Sequence, residues 1–370
     1  MPKYTVSDEE FLHILEKHAG NREATALELG IVVRNVYRRI AKLKKRGKLV
    51  HEPQVDGKIV RQSTLTNKDG EIVAQWDIRV PEKVREAQEA MIAAAKADIV
   101  ALPPRAMLEK EHISNLANEY VFSDVHLGQM ANCDTSEQLE DQYNLIVKAF
   151  SHMMATSPPA ETAIVVILGD WFHFDNLLPM TPRSQNVLFA NGNFRDMVEV
   201  GVKLMRKIID FALMAHKNVE LVICEGNHDQ ASAQWLKIMM MALYDQEPRL
   251  RVADSDTPFI AIPWGDTFLG YHHGHIKGLK STMDLALYFA AEFRPLWGET
   301  VHTYLKTGHL HHIHEKEEHG VLIKQQPTLA SKDHHSHQHG YRSAAAAVCT
   351  SYSKITGECG TNRVTKEMLL

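Results

Sequence analysis

Apolar positions in the first fifty residues recur at helical spacing. Phe11, Ile14, Leu15 and His18 share one face of a helix predicted over 8–18, with Ser7 placed to cap it and Glu10 three residues on. Residues 21–29 predict a second, shorter helix with Ala24 and Leu27 facing inward, and Gly30 breaks it. A third helix is predicted over 33–46, with Val33, Val36, Ile40 and Leu43 on one side. Two short helices, a glycine turn and a third amphipathic helix make the pattern of a helix-turn-helix.

The period then falls to two. Residues 58–65 and 71–76 read as strands joined by a tight turn at Asn67-Lys-Asp-Gly70, either the wing of a winged helix or a separate hairpin. Residues 82–98 are Ala-rich with a weak apolar face and suit a helical spacer, and Pro103-Pro104 marks a linker. From about 115 onward, short apolar runs end in glycine- or histidine-bearing turns, often with a helix after them. That alternation predicts an α/β layered domain, and residues 343–364 predict two more strands around Thr356-Gly357. The expected division is therefore 1–80, 81–114 and 115–370.

Composition narrows the class. Hydrophobic residues are 44% and charged residues 24% of the 370, which is ordinary for a soluble globular chain. The net charge of -5 is unevenly spread: residues 1–50 hold 11 Lys/Arg against 6 Asp/Glu, whereas the remainder is strongly acidic. From Arg34 to Lys48 there are eight basic residues and no acid, the charge expected of a recognition helix and its flank. Arg34, Arg38, Arg39 and Lys42 lie at helical spacing off the apolar face and are the candidate phosphate contacts. Cys133, Cys224, Cys349 and Cys359 form no Cys-x-x-Cys pair, which fits a reducing cytoplasm. No signal-peptide pattern opens the chain and no apolar run nears the length of a membrane span, so no membrane partner is expected.

The chemistry concentrates in five turns, each at the end of a predicted strand. They are Asp124-Val-His126, Gly169-Asp170, Gly226-Asn227-His228-Asp229, His272-His273-Gly-His275 and Gly308-His309-Leu-His311-His312. Sites in layered α/β domains gather beyond the carboxyl ends of strands. In Asp-x-His and His-x-His, alternate side chains fall on the same side of an extended segment, so both members can enter one site. Oxygen and imidazole donors without thiolate suit Mn, Fe, Zn, Ni or Co. The set is too large for one ion but natural for two sharing a carboxylate. Two ions about 3.5–4 Å apart clamp both oxygens of an in-line phosphoryl displacement.

This ordered series resembles the calcineurin-like metallophosphoesterase superfamily. Asp124-Val-His-Leu-Gly128 and Gly169-Asp-Trp-Phe-His173 look most like its Mre11/SbcD-type nuclease branch. The whole layout is similar to phage proteins described as DNA repair exonucleases. The resemblance implies a layered αββα sandwich and two divalent metals, Mn foremost. One ion would take Asp124, His126, Asp170 and His311; the other would take Asp170, Asn227, His273 and His309, with Asp170 bridging. A hydroxide between the ions would be the nucleophile, His228 the general acid, and Asp229 its orienting partner. The resemblance also prefers His273 to His272 and His275, since the family uses the histidine before glycine.

The reading that follows is a metal-dependent phosphodiesterase acting on nucleic acid, a DNA nuclease first, with homo-oligomerisation and an ATPase partner left open. The alternative is a phosphodiesterase or phosphatase for a cyclic nucleotide or phosphoprotein, with the N-terminal module used for assembly. A third is a DNA-binding regulator with a structural metal site. His228 argues against it, because such a site needs no non-ligand histidine beside Asn227. His173, Asp175 and Asn176 follow the second turn as loop structure, as supports behind the metal donors or as substrate contacts, and Arg183 reads as a surface residue before a phosphate clamp. His314 and the histidines of 334–339 read as a solvated loop, and Trp171 and Trp264 as core.

Overall fold

A computed structural model describes residues 6–18, 22–46, 58–66, 72–80, 101–108, 111–130, 139–181, 187–255, 257–276, 281–331 and 343–369. The helix expected over 82–98, the hairpin turn at 67–70, Arg183 and the histidines of 334–339 lie outside these residues. The chain divides into two units, Met1–Asp98 and Ile99–Leu370.

Among the described residues of the first unit are three helices, α1 (Asp8–Lys17), α2 (Arg22–Glu28) and α3 (Val33–Lys45). Ser7 caps α1, its hydroxyl accepting the Glu10 amide at 3.1 Å. Phe11 and Leu15 of α1, Ala26 of α2 and Val36, Ile40 and Leu43 of α3 form one small core. The inward face of α2 differs from expectation: Thr25 and Ala26 are buried, whereas Leu27 is 84% exposed. Seven residues are too few for periodicity to fix a face, and the close approach of α3 selects the small side chains. Strands β1 (Lys58–Thr66) and β2 (Ile72–Val80) pair antiparallel.

The second unit is a sandwich. One sheet has the order β13 (Gly357–Thr365), β12 (Ala346–Ser353), β3 (Ile113–Phe122), β4 (Ala160–Ile167), β5 (Asn218–Ile223), β6 (Leu250–Val252), and the other β10 (His314–Glu318), β11 (Val321–Gln325), β9 (His302–Thr307), β8 (Thr267–Tyr271), β7 (Ile260–Trp264). In the first, β3, β4, β5 and β6 run parallel. Along β3–β5 alternate side chains enter two different cores. Tyr120, Phe122, Val165, Ile167, Leu221 and Ile223 meet the apolar faces of α4 (Leu139–Thr156), α5 (Phe194–Ala215) and α6 (Gln230–Leu243). Val121, Ile164, Val166, Leu168 and Val222 face the other sheet. Burial on both faces explains why these strands read as unbroken apolar runs.

In the second sheet, helices α7 (Thr282–Glu292) and α8 (Arg294–Glu299) follow β8, and Leu285 and Phe289 of α7 share a third core with Phe268 and Leu305. The architecture is the expected α/β/β/α layering, closed by β12 and β13, the two strands expected in the tail. Between the sheets, Lys306 of β9 pairs with Glu119 of β3, both almost fully buried. Tyr271 of β8 donates its hydroxyl to Glu119 at 2.8 Å. Residues 101–108 are pinned to the rest of this unit: the Leu102 amide donates to the Leu243 carbonyl, and Arg105 reaches Asp210 at 2.8 Å.

Candidate metal centre

Asp124 and His126 follow β3, Asp170 follows β4, Asn227 follows β5, His273 follows β8, and His309 and His311 follow β9. Strands β3, β4 and β5 are parallel neighbours in one sheet, as are β8 and β9 in the other. Their carboxyl ends therefore deliver the side chains to a common edge of the sandwich. Asp124, His126 and His311 form one knot of donor atoms, and Asp170, His273 and His309 a second. His311 Nε2 lies 3.2 Å from Asp124 Oδ1 and 3.3 Å from His126 Nε2. His273 Nε2 lies 3.2 Å from both Asp170 Oδ2 and Asn227 Oδ1. Asp170 Oδ2 also stands 3.8 Å from His126 Nε2, so this carboxylate faces both knots.

The backbone is forced to make this approach. Asp124, His126, Asp170, His309 and His311 all have φ between 49° and 72°, a left-handed conformation that L-residues with a Cβ avoid. Hydrogen bonds between the turns hold it: the Asp124 amide donates to the Gly169 carbonyl at 3.1 Å and the His126 amide to the Asp170 carbonyl at 2.9 Å. The His309 amide donates to the Asp124 carboxylate at 3.0 Å. Gly226 owes its place to crowding, since a Cβ there would collide with the Asp170 carboxylate.

The electrostatics fit a pair of cations. Burial pushes Asp170 up, but His273, His228 and His126 outweigh it and hold the carboxyl well below the usual range. Burial also opposes ionisation of Asp124, and His311 and His273 overcome it. In return, Asp170 and Asp124 raise His273 to about 10 against its burial. Asp124 likewise raises His311 against its burial. Burial lowers His309, and burial with neighbouring His228 lowers His126 well below its ordinary value. Two carboxylates lowered against burial, and two imidazoles raised against burial by those same carboxylates, are the mutual attraction that a donor set for cations shows.

Of the three histidines after β8, His273 enters the centre. Its Nδ1 donates to the Leu168 carbonyl at 2.8 Å, leaving Nε2 to face Asp170 and Asn227. The His272 ring stacks on Phe259 with centroids 4.3 Å apart, and its Nδ1 accepts the Gly274 amide at 2.8 Å. His275 packs beside His273 and His272.

His228 Nδ1 donates to the His173 carbonyl at 2.7 Å, and its ring centroid is 4.8 Å from that of His126. Asp229 therefore has a role other than the expected one. Its fully buried carboxylate accepts the amides of Trp171 at 2.7 Å, Gly226 at 2.9 Å, and Asp170 and Phe172 at 3.2 Å. It anchors the turn that carries Asp170, and the His173 carbonyl orients His228. Burial and then the Asp170 charge push Asp229 up to about 7. His173, which sequence reasoning left between loop structure and a role at the site, belongs to the site: its Nδ1 is 3.3 Å from His126 Nδ1, and its ring stacks on His228. Its position four residues after Gly169 in a turn was the available signal. Trp171 is core and Trp264 half-buried, its indole N–H on the Tyr352 carbonyl, while His314 is exposed.

On the basic helix, Arg34, Arg38 and Lys42 are exposed along one face of α3. Arg39 does not join them. It stacks over Phe11 at 4.9 Å, reaches Asp8 at 3.3 Å and donates to the Val6 carbonyl, so it ties α3 to α1.

A family model described as calcineurin-like phosphoesterase matches residues 120–351, more than half of the chain and all five turns. No curated protein matches. A solved structure of a predicted phosphoesterase from Streptococcus pneumoniae TIGR4 is 12% identical with a TM-score of 0.30, covering 68% of this chain and 99% of its own. Vps29 complexed with zinc from Entamoeba histolytica is 14% identical with a TM-score of 0.29, covering 67% of this chain and 99% of its own. A structure described as a novel archaeal phosphodiesterase is 14% identical with a TM-score of 0.33, again over 67% and 99%. No helix among the described residues is long and apolar enough to cross a membrane.

Proposed function

Because the chain belongs to the calcineurin-like phosphoesterase family, we propose that its five-turn centre hydrolyses phosphodiester bonds in nucleic acid, DNA foremost. The observation that carries the hydrolytic half is the convergence of Asp124, His126, Asp170, Asn227, His273, His309 and His311, with His228 beside them in a further group with His126 and His173. These seven would hold two divalent ions, with Asp170 between them. When bound, such ions supply charge neutralisation at the phosphoryl oxygens and a nucleophile at neutral pH.

The chain's own residues do the rest. Asn227 and His273 fix each other across the gap between the sheets. His228, with Nδ1 donating to the His173 carbonyl, presents Nε2, and in its imidazolium form that nitrogen would give a proton to the departing oxygen. The nucleic acid half of the reading is supported by α3, where Arg34, Arg38 and Lys42 offer a cationic face without a neighbouring acid in sequence. Three helices with an exposed basic third are consistent with a helix-turn-helix that holds DNA for the centre to cut.

The test is incubation of the pure protein and Mn with labelled single- and double-stranded DNA, beside bis-p-nitrophenyl phosphate. Cleavage of both, abolished by chelation and restored by Mn, is expected. Cleavage of the small diester with DNA untouched would move the substrate to a cyclic nucleotide or a phosphoprotein. No hydrolysis of either would overturn the reading.

A further inference from the structure

The amino end of α6 lies immediately after the Asn227-His228-Asp229 turn, yet its own N-cap residue does not cap it. Asp229 makes no side-chain capping bond because its carboxylate is spent on the amides of Gly226 and residues 170–172. The free amides of the first turn are taken instead by a residue more than fifty positions earlier. Asp175 accepts the Ala231 amide at 2.7 Å, the Ser232 amide at 2.7 Å and the Ser232 hydroxyl at 2.5 Å. Three short bonds to one carboxylate make a strong cap, and a negative charge at a helix amino end is favourable.

The segment between these anchors is the one that matters for His228. Asp229 holds residues 170–172 at one end and Asp175 fastens the other end to α6. The His173 carbonyl that receives His228 Nδ1 lies between the two. Releasing Asp175 would leave that carbonyl held on one side only, and His228 would lose the partner that fixes its tautomer and the aim of Nε2. We propose that Asp175 is a positioning residue for the proton donor: by capping α6 it sets the His173 carbonyl, and through it His228. It touches neither metal donors nor reacting atoms. The inference rests on the reading of His228 as proton donor.

Leaving groups separate this role from a merely structural one. A p-nitrophenolate departs without a proton, whereas an alkoxide, such as the sugar oxygen of a dinucleotide, needs one. We take Asp175→Ala, Asp175→Asn, His228→Ala and the His228/Asp175 double variant, each loaded with Mn, its metal content and melting temperature measured. Turnover is compared on bis-p-nitrophenyl phosphate and on a dinucleotide. His228→Ala is expected to lose the dinucleotide reaction selectively, within the 10²–10⁴-fold span of general acids, and Asp175→Ala to show the same selectivity at roughly 10–10²-fold. Asp175→Asn keeps one acceptor oxygen and should fall between Asp175→Ala and wild type. It also carries the test if Asp175→Ala does not fold. The double variant should be no more selective than His228→Ala alone. Equal losses on both esters at position 175, with His228→Ala selective, would overturn the positioning role alone. An unselective His228→Ala would overturn the proton-donor reading and this inference with it.

Discussion

Replacing Asp229 by alanine separates the two roles that a carboxylate beside His228 can have. If Asp229 oriented His228, its loss would slow turnover and leave the fold and metals intact. The geometry says otherwise, because four backbone amides converge on this fully buried group and, among the described residues, none of its bonds goes to an imidazole. A buried donor left without an acceptor costs about 1–3 kcal/mol, so four of them put the loss at roughly 4–12 kcal/mol. Water entering the space recovers part of it, and so does relief of the repulsion with Asp170 that helps raise Asp229 to about 7. The lower end, roughly 4 kcal/mol, is therefore expected, a fall of roughly 10 °C in melting temperature. Asp229→Asn keeps one oxygen and should lose about half as much. Because the same amides carry Asp170, metal content should fall together with stability. The assays are thermal melting with and without Mn, and elemental analysis after gel filtration. A variant that melts within about 1 kcal/mol of wild type and keeps its metals would refute the anchoring role.

Neutralising Arg34, Arg38 and Lys42 together should flatten the dependence of log K for DNA on log salt by up to roughly 3 units, about 0.9 for each phosphate left without its cation. Arg39→Ala should instead lower the stability of the three-helix unit, and an unchanged slope in the triple variant would remove α3 from the DNA interface. Lys306→Met should cost roughly 3–5 kcal/mol by leaving Glu119 buried without its cation, and adding Glu119→Gln should recover much of it. A double variant as unstable as the single would show that the pair does not account for the loss. Burial, then His275 and His273, lower His272 to about 3. An unfolded histidine takes a proton near pH 6.5, which the folded ring refuses. The stability contributed above that pH should therefore be lost as pH falls from about 6.5 toward 3, at up to about 1.4 kcal/mol per pH unit. Denaturant titrations of metal-free His272→Asn should show a shallower slope over that window, and an unchanged slope would mean that His272 takes up its proton in the folded protein as well.

The strands that carry the centre were legible because each is buried on both faces, which leaves an unbroken apolar run such as Ala163-Ile-Val-Val-Ile-Leu168 ending in a polar turn. The hairpin of β10 and β11 was not. His314-Glu-Lys-Glu-Glu318 is exposed along nearly its whole length, so nothing alternates, and the strand exists only because β11 lies beside β9. The donors themselves were legible by residue type and order, since those are chemical requirements. What anchors them was not. Asp229 and Asp175 were visible as acids near a histidine, but Gly226 apart, the amides they hold belong to other segments, and no local spacing encodes a hydrogen bond across more than fifty residues.

The backbone of the centre follows the same logic. Aspartate or histidine at Asp124, His126, Asp170, His309 and His311 carries no local signal strong enough to predict a run of left-handed conformations. Local preference alone would have kept all five extended or helical. The turns accept the strain because the neighbouring turn supplies the hydrogen bond that fixes each: Gly169 for Asp124, Asp170 for His126, and the Asp124 carboxylate for His309. Asp124, His126 and His309 are thus each held by a group from another donor's turn. A change that loosens one turn should be felt in both knots, and metal binding at the two sites should weaken together in variants such as Asp229→Ala.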